Sequence, residues 1–436
     1  MDKICIIGLW HQGVVGAACL ADLGHEVIAA DSNEQTVRAL QSGRAPLFEP
    51  GLDDLLQKAL KSGRLTFNSK PAAAVKGCKF ALIMFDTPVD ENDQSDLSPV
   101  FAAAREIAPN LEQNTVILVT AQVPVGTCAR LEAEIKQINP ALNFAVAYSP
   151  ENLQLGQAIE RFIHPPLRVI GSDSPRALDR LECLLSVISG DWERVSLATA
   201  EMVKHALNAY LATTIAFANE LGNLCDRVGA DGVRLAQILR NDPRIGVKAM
   251  LFPGLGFSGG TLARDMQTLI NLGRRAGLET HLLDGAWRSN LAQNQTVAMK
   301  LRRFFGTLEN KKIAVLGLAY KPETSTLRRS LSLDIIAELV REKAVVTAHD
   351  PRADRTEIGK RTEFSFKEDV YQAVSGADAL LLITGWKEYK NLDYRQVREL
   401  MKGKLLMDPN NLLDRTEMEK LGFQYVGIGR GYGEKA

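Results

Sequence analysis

The segment KICIIGLWHQGVVGAACLADLGHEVIAAD, Lys3 to Asp31, decides the fold of this chain. KICII is an apolar run that enters a turn at Gly8. VVGAACLADLG then carries apolar residues at helical spacing and stops at a glycine. HEVIAAD is a second short apolar strand that ends on an acid. A strand, a helix and a strand within about 30 residues make a β-α-β unit, the building block of a parallel sheet. Gly8 and Gly13 occupy the first and last places of a G-x-G-x-x-G turn. The first allows a tight turn; the last lets the helix lie close to the sheet with its N–H groups facing a pyrophosphate. Trp10 stands at the middle place, where a glycine would let the backbone approach phosphate. It either points outward and leaves room, or shifts or displaces the ligand. Asp31 falls where an acid binds the adenosine ribose hydroxyls, and no Arg follows it, which favours NAD over NADP. The same residues would also make a tight strand–helix turn that binds nothing.

Working outward, FALIMFD (80–86), TVILVT (115–120), FAVAYS (144–149) and LRVIGSD (167–173) are further strand-like runs separated by helical stretches. This alternation predicts a mostly parallel, doubly wound sheet. From Thr199 the texture changes: helical spacing continues without a proline to Gly229, with Gly222 its weak point and a possible bend. A helix over 231–240, a glycine-rich loop and helices over 265–306 follow. KKIAVLGLAYKP (311–322) opens a second α/β region with VVTAHDP (345–351), ALLLITGW (379–386) and KLLMDPN (404–410) as its strands. The expected architecture is α/β: two Rossmann-like doubly wound domains joined by a long central helix and a helical middle domain. Expected boundaries are 1–198, 199–308 and 309–436.

The 436 residues are enough for two or three domains. With 46% hydrophobic and 24% charged residues the composition is that of an ordinary globular protein. Lysine plus arginine balance aspartate plus glutamate at 52 each, so neither nucleic acid nor a membrane surface is an expected partner. The six cysteines lack C-x-x-C spacing, which argues against a zinc site or a disulfide framework, and no metal is expected. No apolar run reaches the ~20 residues of a membrane span, and no signal-peptide pattern opens the chain, so the cytoplasm is the expected compartment.

Read together, these segments resemble the UDP-glucose/GDP-mannose dehydrogenase family over nearly the whole chain. DTP (86–88) resembles its G-T-P loop, VPVGT (123–127) its S-T-V-P-V-G-T segment, and SPENLQLG (149–156) its P-E-F-L-x-E-G segment. EMVKHALNAYLATTIAFANEL (201–221) is similar to its long central helix. DPRIG (242–246) and GLGFSGGTLARD (254–265) resemble its D-x-R-I-G and G-x-G-F-G-G-S-C-F-P-K-D. LGLAYKPETSTLRRS (316–330), GW (385–386) and MDPNN (407–411) echo later motifs. The resemblance implies oxidation of the C6 alcohol of a nucleotide-linked hexose (UDP- or GDP-linked) to a carboxylate with two NAD. A cysteine traps the intermediate aldehyde, and the thioester formed after the second oxidation is hydrolysed. It also implies a homodimer formed through the central helix.

Residue by residue, the resemblance assigns catalytic roles to Lys204, Asn208 and Asp265, with Glu151 an acid/base or water-orienting group. Lys204 and Asn208 are spaced i, i+4 and share one helix face. It places Thr87, Gln122 and Arg264 with Gly8, Trp10, Gly13 and Asp31 at the cofactor. Leu153, Arg244, Phe257, Gly259 and Lys321 fall at the substrate, with Arg244 reaching the nucleotide sugar of a partner subunit. The departures are as informative. Thr261 stands where the family has its nucleophilic cysteine, and a hydroxyl is far less acidic than a thiol. Gln122 replaces a hydroxyl residue, Leu155 replaces the second glutamate, and Asn410 stands where the family usually has Arg. Three functions follow as expectations. The first is an oxidoreductase whose reaction stops at an aldehyde or ketone. The second is an epimerase or decarboxylase that uses tightly bound NAD. The third is a non-catalytic nucleotide-sugar-binding homologue.

Overall fold

The structure, a computed structural model, describes residues 2–85, 87–88, 95–258 and 261–431. Asp86 and Gly259, both in motifs singled out above, lie outside the described residues. The chain divides into two compact units, Met1–Leu207 and Asn208–Ala436. One helix, Leu197–Val228, contains the division.

In the N-terminal unit the described residues form an eight-stranded sheet: β1 (Lys3–Ile7), β2 (Glu26–Ala30), β3 (Leu65–Asn68), β4 (Phe80–Ile83), β5 (Thr115–Val119), β6 (Phe144–Tyr148), β7 (Val169–Gly171) and β8 (Glu193–Val195). Its order is β3-β2-β1-β4-β5-β6-β7-β8, and every pairing is parallel except β6 with β7. The first six strands have the doubly wound order, with the strand order reversing between β1 and β4. β4 and β5 are buried at every position because helices cover both faces, which is why they read as unbroken apolar runs.

The C-terminal unit repeats that order. β9 (Lys312–Leu316), β10 (Val345–His349), β11 (Ser365–Phe366), β12 (Ala379–Leu382), β13 (Leu405–Asp408) and β14 (Gln424–Gly427) pair as β11-β10-β9-β12-β13-β14, all parallel. The two strand–glycine openings seen in the sequence are the same device used twice. Gly8 has φ +98° and Gly317 φ +99°, a conformation that only glycine adopts without strain.

The long helix runs unbroken through Gly222. That glycine gives clearance: a Cβ there would lie 2.4 Å from Pro253 Cβ. One turn on, Asp226 is buried against Lys300 at 2.5 Å, and its carboxylate also accepts Gly429 N at 3.2 Å and Gly431 N at 3.1 Å. This one group ties the helix, the helix Thr296–Phe305 and the segment after β14. Removing one partner of a buried pair strands the other charge. Asp226→Ala is therefore expected to destabilise the protein by about 3–5 kcal/mol, measured by denaturant unfolding.

Candidate active site

The dinucleotide turn is built as its glycines demand. A Cβ on Gly8 would meet the Phe85 ring at 2.9 Å, and one on Gly13 would sit 1.7 Å from Gly8 O. Trp10 is half exposed, at 51%, and so points out of the turn. The helix that begins after it, His11–Asp22, has no side-chain cap and no acid in its first turn. Its N-terminal N–H groups and positive dipole end thus suit a pyrophosphate. Asp31 braces the turn from the end of β2: Oδ2 accepts Leu9 N and Oδ1 accepts Asn33 N, both at 2.8 Å. It stays partly exposed. The second sheet shows the contrast. Asp350, at the matching place after β10, is fully buried and accepts from Leu318 N, Ala319 N, Arg352 N, Ala353 N and Trp386 Nε1 at 2.7–3.1 Å. Five donors leave it no capacity for a ribose, so the residues present suit a dinucleotide at the first sheet. Thr87 and Gln122 meet after β4 and β5, where Thr87 Oγ1 donates to Gln122 O at 2.9 Å.

Lys204 projects from the long helix to Glu151, which follows β6. Its Nζ donates to Glu151 O at 2.8 Å and lies 3.9 Å from Glu151 Oε2. Two neighbours on the helix fix that approach. Glu201 accepts Gly126 N at 2.6 Å and Cys128 N at 2.8 Å, and His205 Nε2 meets Val123 O at 2.9 Å. VPVGT therefore serves as the helix start that Glu201 caps. Leu153 packs against the apolar core beneath the sheet. Glu49, unnoticed in the sequence, is buried and binds His11 Nε2 at 3.1 Å, Gly156 N at 3.0 Å and Ala158 N at 2.8 Å. Read linearly, Glu49 in FEPG is an ordinary turn acid; only its burial marks it out.

In the C-terminal unit Asp265 is fully buried. It accepts a short hydrogen bond from Asn208 Nδ2, and Arg264 Nε lies 3.4 Å from its other oxygen. The guanidinium of Arg264, expected at the cofactor, is thus engaged with Asp265. Thr261 is exposed and sits at the N-cap of the helix Leu262–Arg275, with no side-chain cap bond.

The glycine loop is held by amides. Asn219 and Gln293 bind Gly254, Asn410 Oδ1 accepts Leu255 N at 3.1 Å, and Asn290 brackets Phe257 N at 2.7 Å and Phe257 O at 3.1 Å. A Cβ on Gly254 or Gly256 would come within 2.8 Å of Asn410 or Asn290. These two glycines make room for amide side chains. Asn410 also donates to Ile383 O at 2.9 Å, so it fastens the loop to the end of β12. Beside it a cleft of about 510 Å³ opens after β9 and β12, lined by Gly256, Ser258, Lys321, Ser330 and Thr384. It lies where the strand order of the second sheet reverses, the usual ligand crevice of such sheets. Arg244 lies elsewhere in this unit, on an exposed loop, chelated by Asp242 at 2.7–3.0 Å.

Residues 2–188 match the NAD binding domain of the UDP-glucose/GDP-mannose dehydrogenase family, 198–292 its central domain and 314–415 its UDP binding domain. The chain is 35% identical over 434 residues to UDP-glucose 6-dehydrogenase TuaD of Bacillus subtilis (strain 168), covering 99% of this chain and 94% of that protein. The chain belongs to the UDP-glucose/GDP-mannose dehydrogenase family. A UDP-glucose 6-dehydrogenase of Rhizobium meliloti (strain 1021) is 36% identical, with 98% and 99% covered. Among solved structures, a UDP-glucose dehydrogenase from the hyperthermophilic archaeon Pyrobaculum islandicum superimposes with a TM-score of 0.86 at 30% identity, with 98% of each chain covered. As a member of this family the protein is an NAD-dependent oxidoreductase of nucleotide sugars. Among the described residues no three metal-ligating side chains cluster, and no helix is long and apolar enough to cross a membrane.

Proposed function

We propose that this family member oxidises the C6 alcohol of a nucleotide-linked hexose once and releases the aldehyde: R–CH₂OH + NAD⁺ → R–CHO + NADH + H⁺. The observation that carries the proposal is Thr261 at the N-terminus of its helix. A helix N-terminus lowers a thiol into the range where it ionises near neutrality. A hydroxyl starts too high for the same field to ionise it, and it leaves poorly from an ester. The first oxidation needs no nucleophile; the second, through a thioester, does.

NAD, held at the Gly8–Gly13 turn beside Asp31, would supply the acceptor for the hydride that leaves the carbinol carbon. Lys204 spends one N–H on Glu151 O, and its remaining donors hold the alcohol oxygen as charge develops there. The Glu151 carboxylate beside it takes the alcohol proton. Within the C-terminal unit, Asp265 orients Asn208 by accepting one of its amide hydrogens. Lys321, Ser330 and Thr384 line the cleft we assign to the nucleotide. UDP-glucose is the first substrate to test, because the relatives above are named for it. The assay supplies NAD⁺ and a panel of UDP- and GDP-hexoses, reading absorbance at 340 nm and product mass. One NADH per sugar and an aldehyde mass are expected. An altered sugar without NADH would replace this reading with reversible oxidation.

The protein is proposed to act as a homodimer in the cytoplasm. Tyr210, Phe217 and Leu224 recur every seventh residue on the long helix and are 51–68% exposed, with Val228 at 75%. Such a stripe matches a copy of itself across a two-fold axis. Arg244 lies on the same apolar groove, placed to reach a partner. Phe217→Glu is expected to give a folded monomer by light scattering; a dimer of unchanged mass would show that the interface lies elsewhere.

A further inference from the structure

Trp10 does not stand alone at the dinucleotide turn. Phe48 is 85% exposed and Leu155 47%, beside Trp10 at 51%. Trp10 and Leu155 immediately precede the residues bound by one buried carboxylate, His11 and Gly156, and Phe48 precedes Glu49, which carries it. Glu49, only 4% exposed, binds His11 and Gly156 at 3.1 and 3.0 Å and so draws the three backbones together. The usual order is inverted, with the acid inside and the large apolar groups in water. Single exposed apolar residues need no explanation, but three gathered at one turn do. The helix that starts there is uncapped, which leaves its N–H end for an anion.

We propose that Trp10, Phe48 and Leu155 form an apolar collar that bound NAD covers, a proposal that rests on the NAD-dependent reading of the N-terminal unit. A glycine at position 10 would let bare backbone meet the pyrophosphate. Trp10 would offer a flat indole face there instead. NAD carries two flat rings, and ring faces stack on indole and phenyl groups. Burying the collar also removes water from the turn, which strengthens the pull of the helix N-terminus on the phosphates.

The test uses the full chain. Of its four tryptophans, Trp386 is fully buried and Trp192 and Trp287 are partly buried, so Trp10 is the one most open to iodide. The difference between wild type and Trp10→Phe isolates its emission. Saturating NAD⁺ is expected to cut iodide quenching of that component several-fold. By calorimetry, Trp10→Gly and Phe48→Ala are each expected to weaken NAD⁺ binding, the former by about ten-fold, while Trp10→Phe stays within about two-fold. Both sites are exposed, so the variants keep the fold. Tighter binding by Trp10→Gly, unchanged affinity in both variants, or full quenching of Trp10 with NAD⁺ bound would each overturn the collar alone. A wild-type protein that binds no NAD⁺ would overturn the oxidoreductase reading with it.

Discussion

Thr261→Cys is expected to change the product from aldehyde to carboxylate and to double the NADH formed per sugar from one to two. The position is already prepared for a thiolate: it caps a helix whose N-terminal dipole end faces it. A thiolate there adds to the aldehyde to give a thiohemiacetal. A second two-electron oxidation gives the thioester, which water cleaves, so that R–CHO + NAD⁺ + H₂O → R–COOH + NADH + H⁺. Neither Cys128 nor Cys225 substitutes for it. Cys128 and Cys225 are buried, and burial, with Glu201 and Asp226 respectively, raises their thiols above the usual range. The check is NADH stoichiometry at limiting sugar with product mass. Wild-type acid formation at ~1 s⁻¹ or faster would refute the single-oxidation proposal. If the variant forms no acid, the block lies with Gln122, Leu155 or Trp10, which also depart from the family pattern.

The second large effect is expected at Lys204. Removing a positioned cation from a developing oxyanion typically costs 10²–10³ in kcat, and Lys204→Ala is expected to fall by about that factor with a small change in KM. Lys204→Arg should restore little. The Nζ fits between Glu151 O and Oε2 as a compact point charge, and a planar guanidinium does not reproduce that. Retention of wild-type kcat by Lys204→Ala would remove Lys204 from the chemistry.

Much of this was legible in the chain. The β-α-β opening, the long helix and the central strands announce themselves because strands buried on both faces must be apolar throughout. The strands that escaped sequence reading are β3, β8, β11 and β14, the edges of the two sheets. Edge strands pair on one side only and alternate or shorten, as Leu65–Asn68 and Glu193–Val195 do, and so lack the continuous run. The motif residues Lys204, Glu151, Asn208 and Asp265 were found through resemblance, since no local spacing links Glu151 to Lys204.

By itself, then, the sequence determined where chemistry-bearing residues stand, which turn suits a dinucleotide, and that Thr261 occupies a cysteine's place. Tertiary structure decided what each of them faces. It turned Arg264 toward Asp265, gave Gly254 and Gly256 to amide side chains, closed Asp350 while leaving Asp31 partly open, and buried Glu49 beneath three exposed apolar groups. The physical reason is common to all four. A polar group's role depends on which partners compensate its burial, and those partners lie far away along the chain.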